Sequence, residues 1–143
     1  MNDLGKTPRK LSVIIACLNA ASTLRDQLDG LAGQTWSGDW ERDWEVIVAD
    51  NGSTDGSQAL VESYRGRIPG LRVVDASDRK GQAHARNVGS VHATGDALLF
   101  VDADDQVAPG WLEALAAALS RHAFVACRYD NQALNPAWVQ RPH

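Results

Sequence analysis

The alternation of apolar runs with helical stripes predicts an α/β domain, a mainly parallel sheet flanked by helices. Three observations carry this. Runs at Leu11–Cys17, Glu45–Asp50 and Ala97–Val101 are continuously apolar or rich in β-branched residues, as strands buried on both faces are. Between them, apolar residues recur at helical spacing and the connections are short, so strand, crossover helix and parallel strand follow one another. The third is a position. Asp102, Asp104 and Asp105 lie just past the end of the last of these runs, where open α/β sheets bind their ligands.

Residues 1–10 are polar and read as a tail, and the domain runs from 11 to 129. After the first strand, Asn19 to Ser22 leads into a helix with Ser22 as its N-cap and a stripe of Leu24, Leu28 and Leu31. Trp36, Trp40 and Trp44 recur every four residues, but Gly38 and the mixed charges around it make 34–42 a loop folded over the sheet edge. Asn51 to Gly56 is a turn after the second strand. The helix that follows pairs Leu60 with Tyr64 and is closed by Gly66 and Pro69. Leu71–Asp75 is a third strand, and Gly81–Ala93 a helix with Ala85, Val88 and His92 on one side and Gly89 tolerated within it. A last helix spans Pro109 to about Arg121. Pro109 takes its first position, Ala108 its N-cap, and Leu112, Leu115 and Leu119 its stripe. Phe124–Cys127 reads as a fifth strand, and 130–143 as an irregular end interrupted by Pro136 and Pro142.

Composition narrows the function. A net charge of −4 argues against a nucleic-acid grip by a basic face. An anionic ligand therefore needs local help from a metal, an arginine or a helix N-terminus. No apolar stretch approaches the roughly 20 residues of a membrane span, and the polar start has no signal-peptide core. The reading is a cytoplasmic protein in which Cys17 and Cys127 are reduced core thiols, and the Asn51-Gly52-Ser53 sequon carries no glycan. His84, His92 and His122 lack metal-ligand spacing.

Two common phosphate cradles are missing. Leu18 to Thr23 has no Gly-x-Gly-x-x-Gly pattern, and no Gly-Lys-Ser/Thr loop occurs anywhere. Carboxylates alone repel phosphate, by about 4 kcal/mol per charge pair at about 4 Å and an effective dielectric near 20. If Asp102 and Asp104 face a phosphorylated ligand, Mg²⁺ or Mn²⁺ must lie between them. Helix capping explains the cluster badly, because Asp104 and Asp105 precede the expected cap by several positions. Asp55 differs: in the first turn of its helix, it has a sufficient structural role in the helix dipole. Asp50, at the end of a buried strand, is placed to accept a hydrogen bond from a base N–H, as uracil offers. Arg86 has two readings, a contact to the nucleotide or pyrophosphate and an internal pair with Asp50 or Asp102.

Six motifs in order then resemble one family: Ser12-Val13-Ile14-Ile15 with Asn19; Gln34-Thr35; Val48-Ala49-Asp50-Asn51-Gly52-Ser53-Thr54-Asp55; Ala85-Arg86-Asn87-Val88-Gly89; Gly95-Asp96; and Phe100-Val101-Asp102-Ala103-Asp104-Asp105. From about Leu11 to about Leu119 the chain resembles the GT-A-fold glycosyltransferases of family 2. The resemblance implies a Rossmann-like GT-A nucleotide-binding layer, a nucleotide-sugar donor, often a UDP-sugar, and transfer to an acceptor hydroxyl with inversion. It assigns Asp50 to the base, the segment Ala16, Leu18 and Asn19 to the nucleoside, with Asn51 and Arg86 beside the donor. Asp102 falls near the ribose or sugar, and Asp104 is the main ligand of Mg²⁺ or Mn²⁺. The chain departs from the family at Ala16-Cys17-Leu18-Asn19, where Pro-x-Tyr-Asn is usual, and at Arg79, where asparagine is common. It also lacks the acceptor-binding half that carries the catalytic base, so the expectation is a donor-binding half, inactive alone, with an unknown glycan, lipid or other acceptor. The competing expectations are a non-catalytic nucleotide-binding or interaction module on the same fold and, less favoured without a glycine-rich loop, a metal-dependent nucleotidyltransferase.

Overall fold

The computed structural model describes residues 8–130. Its elements are β1 (Leu11–Cys17), α1 (Ala21–Ala32), β2 (Trp44–Asp50), α2 (Ser57–Ser63), β3 (Arg72–Asp75), α3 (Gln82–His92), β4 (Ala97–Asp102) and α4 (Trp111–Leu119). The four strands form one parallel sheet in the order β3-β2-β1-β4. Register brings the functional ends together: Cys17 pairs with Asp50, Asp50 with Asp75, and Ala16 with Asp102. Among the described residues no helix is long and apolar enough to cross a membrane.

Alternation along the strands splits the core in two. Val13, Ile15 and Cys17 of β1 and Val46 and Val48 of β2 pack with Leu24, Leu28 and Leu31 of α1, Val61 of α2 and Leu112 and Ala116 of α4. The opposite face is smaller, with Ile47, Ala49 and Val74 against Ala85 of α3. Gly89 explains how close α3 lies: a Cβ there would sit 2.6 Å from the Ile14 side chain. The glycine in that helix is a packing requirement. The 33–43 connection is irregular, as its composition implies, and Trp40 folds edge-on to buried Trp44 with ring centroids 4.8 Å apart.

Several expectations need correction. β4 is not buried on both faces. It is an edge strand, and α3 packs on β1, β2 and β3 instead, leaving Leu98 41% and Phe100 49% exposed while Leu99 is buried. Phe124–Cys127 forms no strand, and Phe124 and Cys127 are both exposed, so Cys127 is no core thiol. A four-residue apolar run carries too little alternation to fix a pairing register. Ser22 does not cap α1; the N-cap is Ala20, without a side-chain bond. The last helix starts at Trp111 after Gly110, so Pro109 lies outside it. Residues 1–7 of the expected tail and 131–143 of the expected irregular end fall outside the described residues.

Candidate functional site

The strand ends open onto a cavity of about 400 Å³ at the C-terminal edge of the sheet. Its walls come from three connections. Ala16 and Cys17 end β1, with Leu18–Ala20 and Thr23 after them; Asn51 follows β2 opposite Lys80–Gln82 at the start of α3; and Asp102–Asp104 close β4. Of the residues singled out from sequence, Ala16, Leu18, Asn19, Asn51, Asp102 and Asp104 line this space. Asp50 and Arg86 do not.

Asp50 lies behind the cavity wall rather than on it. Strand alternation continues through the end of β2, so Asp50 turns with Val46 and Val48 toward α2 while Asn51 takes the cavity side. The Asp50 carboxylate is buried beneath the loop, where its Oδ2 accepts from Ser53 N at 3.1 Å and Gln58 Nε2 at 2.6 Å. Its Oδ1 is buried without a hydrogen-bond partner. Arg86 forms an internal pair: its Nη2 donates to Asp102 Oδ1 at 2.8 Å, and Gln82 Nε2 approaches the same oxygen at 3.5 Å. Both partners are part-exposed, so the pair adds little stability and serves mainly to orient Asp102.

The loop after β1 is braced by the turn after β2. Asn19 is the only non-glycine described residue at positive φ (49°), a conformation asparagine tolerates. Its backbone N–H donates to Ser53 Oγ at 2.9 Å, and its Oδ1 accepts from Thr54 N at 2.8 Å. Ala20 N donates to Ser57 Oγ, and Ala21 N to Asp55 Oδ2 at 2.9 Å. Asp55 therefore does not sit in the first turn of its own helix. It precedes the Gly56 cap and serves two helix starts, its Oδ1 accepting from Ser57 N of α2 at 3.0 Å and its Oδ2 from Ala21 N of α1. Hydrogen bonds, first from the Ser57 hydroxyl and then from Ala21 N–H, hold its carboxyl below the usual range. Cys17, the thiol on the cavity wall, is pushed up by burial and stays neutral.

Sequence reasoning missed Lys80 and Tyr129. Lys80 is the one cationic side chain on the cavity wall among the described residues. The loop that carries it is pinned by Asn51, whose Nδ2 donates to Ala76 O and Arg79 O, each at 2.8 Å, and whose Oδ1 accepts from Gly81 N at 3.0 Å. The available signal was a lysine directly before the glycine that opens a helix on this edge of the sheet, a place suited to anions. Tyr129 donates its hydroxyl to Asp105; that bond, with burial and the nearby Asp102 and Asp104 charges, pushes the phenol up.

Asp102, Asp104 and Asp105 each present one carboxylate oxygen within 4.8 Å of the others. Three hard oxygen donors so placed, with Asp104 exposed, fit a Mg²⁺ or Mn²⁺ ion that keeps several waters or phosphate oxygens. Asp102 and Asp104 are the acids that line the cavity among the described residues, and Glu113 is engaged by Ser37 N at 2.7 Å.

The profile described as Glycosyl transferase family 2 matches residues 12–143. The chain belongs to this family. It is 39% identical over 106 residues to the uncharacterized glycosyltransferase YibD of Escherichia coli K12, covering 74% of this chain and 29% of YibD. Among solved structures it is similar to Staphylococcus aureus TarS 1-349 in complex with UDP-GlcNAc, with a TM-score of 0.69 and 32% identity over 80% of this chain and 32% of that one. It is also similar to the mannosyltransferase PcManGT of Pyrobaculum calidifontis in complex with GDP-Man and Mn²⁺, with a TM-score of 0.67 and 30% identity over 82% of this chain and 34% of that one. The chain thus spans about a third of the length of these relatives. The match confirms both the family resemblance and the α/β, GT-A-type fold read from the motifs.

Proposed function

We propose that this chain is the donor-binding part of a glycosyltransferase that takes a nucleoside-diphosphate sugar, a UDP-sugar first, and transfers the sugar with inversion to an acceptor hydroxyl. The observation that carries the reading is the cavity itself, with clustered carboxylates on one wall and Lys80 at the start of α3 on another. Solved relatives in complex with UDP-GlcNAc and with GDP-Man and Mn²⁺ support a nucleotide-sugar ligand and a divalent ion.

The roles follow from position. The walls at Ala16, Leu18 and Asn19 take the nucleoside, Asn51 braces the loop that carries Lys80, and Asp50, whose Oδ1 has no hydrogen-bond partner among the described residues, is the acceptor for a base N–H. Lys80 and the N-terminus of α3 attract the diphosphate. Asp104 and Asp102 hold Mg²⁺ or Mn²⁺, with Asp105 beside them and Arg86 fixing the orientation of Asp102. When bound, the ion supplies positive charge against the diphosphate leaving group. The acceptor and the base that deprotonates it we assign to a part of the protein beyond residues 11–129, in keeping with relatives about three times as long.

A melting-temperature screen of the 143-residue chain with Mn²⁺ and UDP-, GDP- or TDP-sugars tests this. A UDP-sugar is expected to raise the melting temperature most. No shift with any nucleotide contradicts donor binding, and a larger shift with a GDP-sugar contradicts the uracil preference. The chain alone is expected not to transfer sugar; turnover would overturn the assignment of the base elsewhere.

A further inference from the structure

We propose that Gln27, in the middle of α1, is a positioning residue that sets the geometry of the metal-binding carboxylates. It sits on the helix's buried side, among Leu24, Leu28 and Leu31, and is 0% exposed. A buried amide is costly unless its hydrogen bonds are made. Both ends of the amide are bonded. Its Nε2 donates to Asp102 O at 2.9 Å, and its Oε1 accepts from Val107 N at 2.9 Å. One planar group therefore ties down both ends of the 103–106 segment, which carries Asp104 and Asp105.

Besides the Tyr129 hydroxyl, which donates to Asp105, that segment has a single backbone tether of its own among the described residues. Its described backbone–backbone bond is Asp105 N to Asp102 O at 3.3 Å, and no helix or strand runs through it. The same side of α1 continues the contact. A Cβ on Gly30 would lie 2.9 Å from the Val107 carbonyl, so the glycine lets the loop backbone rest against the helix. Farther along, Gln34 Nε2 donates to Ala108 O and its Oε1 accepts from Leu112 N, both at 2.9 Å. Gln27, Gly30 and Gln34 form a cradle for the loop from Asp102 to Leu112. Gln27 is the member that reaches the carboxylates' own segment. Groups that orient metal ligands in this way change metal affinity about 10- to 100-fold when removed.

The inference rests on the reading that the acidic cluster holds a divalent ion, and the test separates the two. Mn²⁺ is titrated into the 143-residue chain and the free ion followed by electron paramagnetic resonance, without donor or turnover. Gln27→Met keeps length and apolar packing but strands the Asp102 carbonyl and the Val107 N–H; it is expected to weaken Mn²⁺ binding about tenfold. Gly30→Ala displaces the same loop and leaves the amide in place, so it carries the test if Gln27→Met does not fold. Val61→Ala on α2 lowers stability away from this contact and is expected to leave Mn²⁺ affinity unchanged below its melting temperature. If the wild type binds Mn²⁺ and both α1 variants bind it equally well, or if Val61→Ala weakens it as much, Gln27 has no positioning role and the metal reading stands. If the wild type binds no Mn²⁺, the metal reading itself is overturned, and this inference with it.

Discussion

The two ends of the sheet use the same chemistry in opposite ways. At the N-terminal end, Glu45 is 3% exposed and every oxygen is answered from within. Its Oε1 accepts from the Ser12 hydroxyl at 2.7 Å and from the Thr94 N–H and hydroxyl at 2.7 and 2.9 Å, while Oε2 meets Arg72 at 2.8 Å and Lys10 at 3.8 Å. Burial pushes this carboxyl up, but the bonds from Arg72, Ser12 and Thr94 outweigh it and hold the group at about 2. Asp96 beside it takes the backbone N–H groups of Arg9 and Lys10 at 3.0 and 2.9 Å. At the C-terminal end, Asp102, Asp104 and Asp105 crowd together, and among the described residues only Asp102 of the three has a cationic partner, a part-exposed Arg86. Carboxylates that serve the fold are buried and satisfied; carboxylates kept for a ligand are clustered and left in need of a cation.

This contrast can be broken by mutation. Glu45→Ala strands Arg72, the Ser12 hydroxyl and the Thr94 N–H, and is expected to cost about 3 kcal/mol in urea unfolding. Donor binding by the remaining folded protein should be unchanged. A loss under about 0.5 kcal/mol would place Glu45 among ordinary surface acids.

Acid sharpens the same point. The folded Glu45 carboxyl lies at about 2, below its ordinary value of 4.5, so its contribution is complete above about pH 4.5 and is lost as pH falls toward 2. Stability of the wild type should therefore decline through that window, and Glu45→Gln should be less stable at neutral pH with a shallower decline. An equally steep decline in Glu45→Gln would assign the acid sensitivity to other carboxylates.

Lys80→Ala is the mirror of Glu45→Ala. It is expected to weaken donor binding about tenfold, the size of one charge-assisted bond, and to leave unfolding within about 0.5 kcal/mol of the wild type. Unchanged affinity would remove Lys80 from the diphosphate site.

How much of this was legible from the chain depends on how local each feature is. β1, β2 and the helices after them follow from runs and stripes a few residues long, and their order brings the strand ends to one edge. The open face of β4 was hidden, because an apolar run reads alike at the centre of a sheet and at its edge. The bracing role of Asn51 was hidden for another reason: its partners, the Ala76 and Arg79 carbonyls and the Gly81 N–H, lie 25 to 30 residues along the chain and offer only backbone atoms. Gln27 was invisible because its partners, the Asp102 carbonyl and the Val107 N–H, lie far along the chain and offer only backbone atoms. Lys80 carried a signal, a cation at a helix start on the binding edge, that composition alone did not weigh.

The central claim is that the C-terminal carboxylates hold a divalent ion and, through it, a nucleoside diphosphate. Calorimetric titration of UDP into the 143-residue chain, with and without Mn²⁺, tests it most directly in the wild type and in Asp104→Ala. The account predicts binding by the wild type only when Mn²⁺ is present, and none that depends on Mn²⁺ in Asp104→Ala. UDP binding of equal strength without the ion, unchanged by Asp104→Ala, would contradict it.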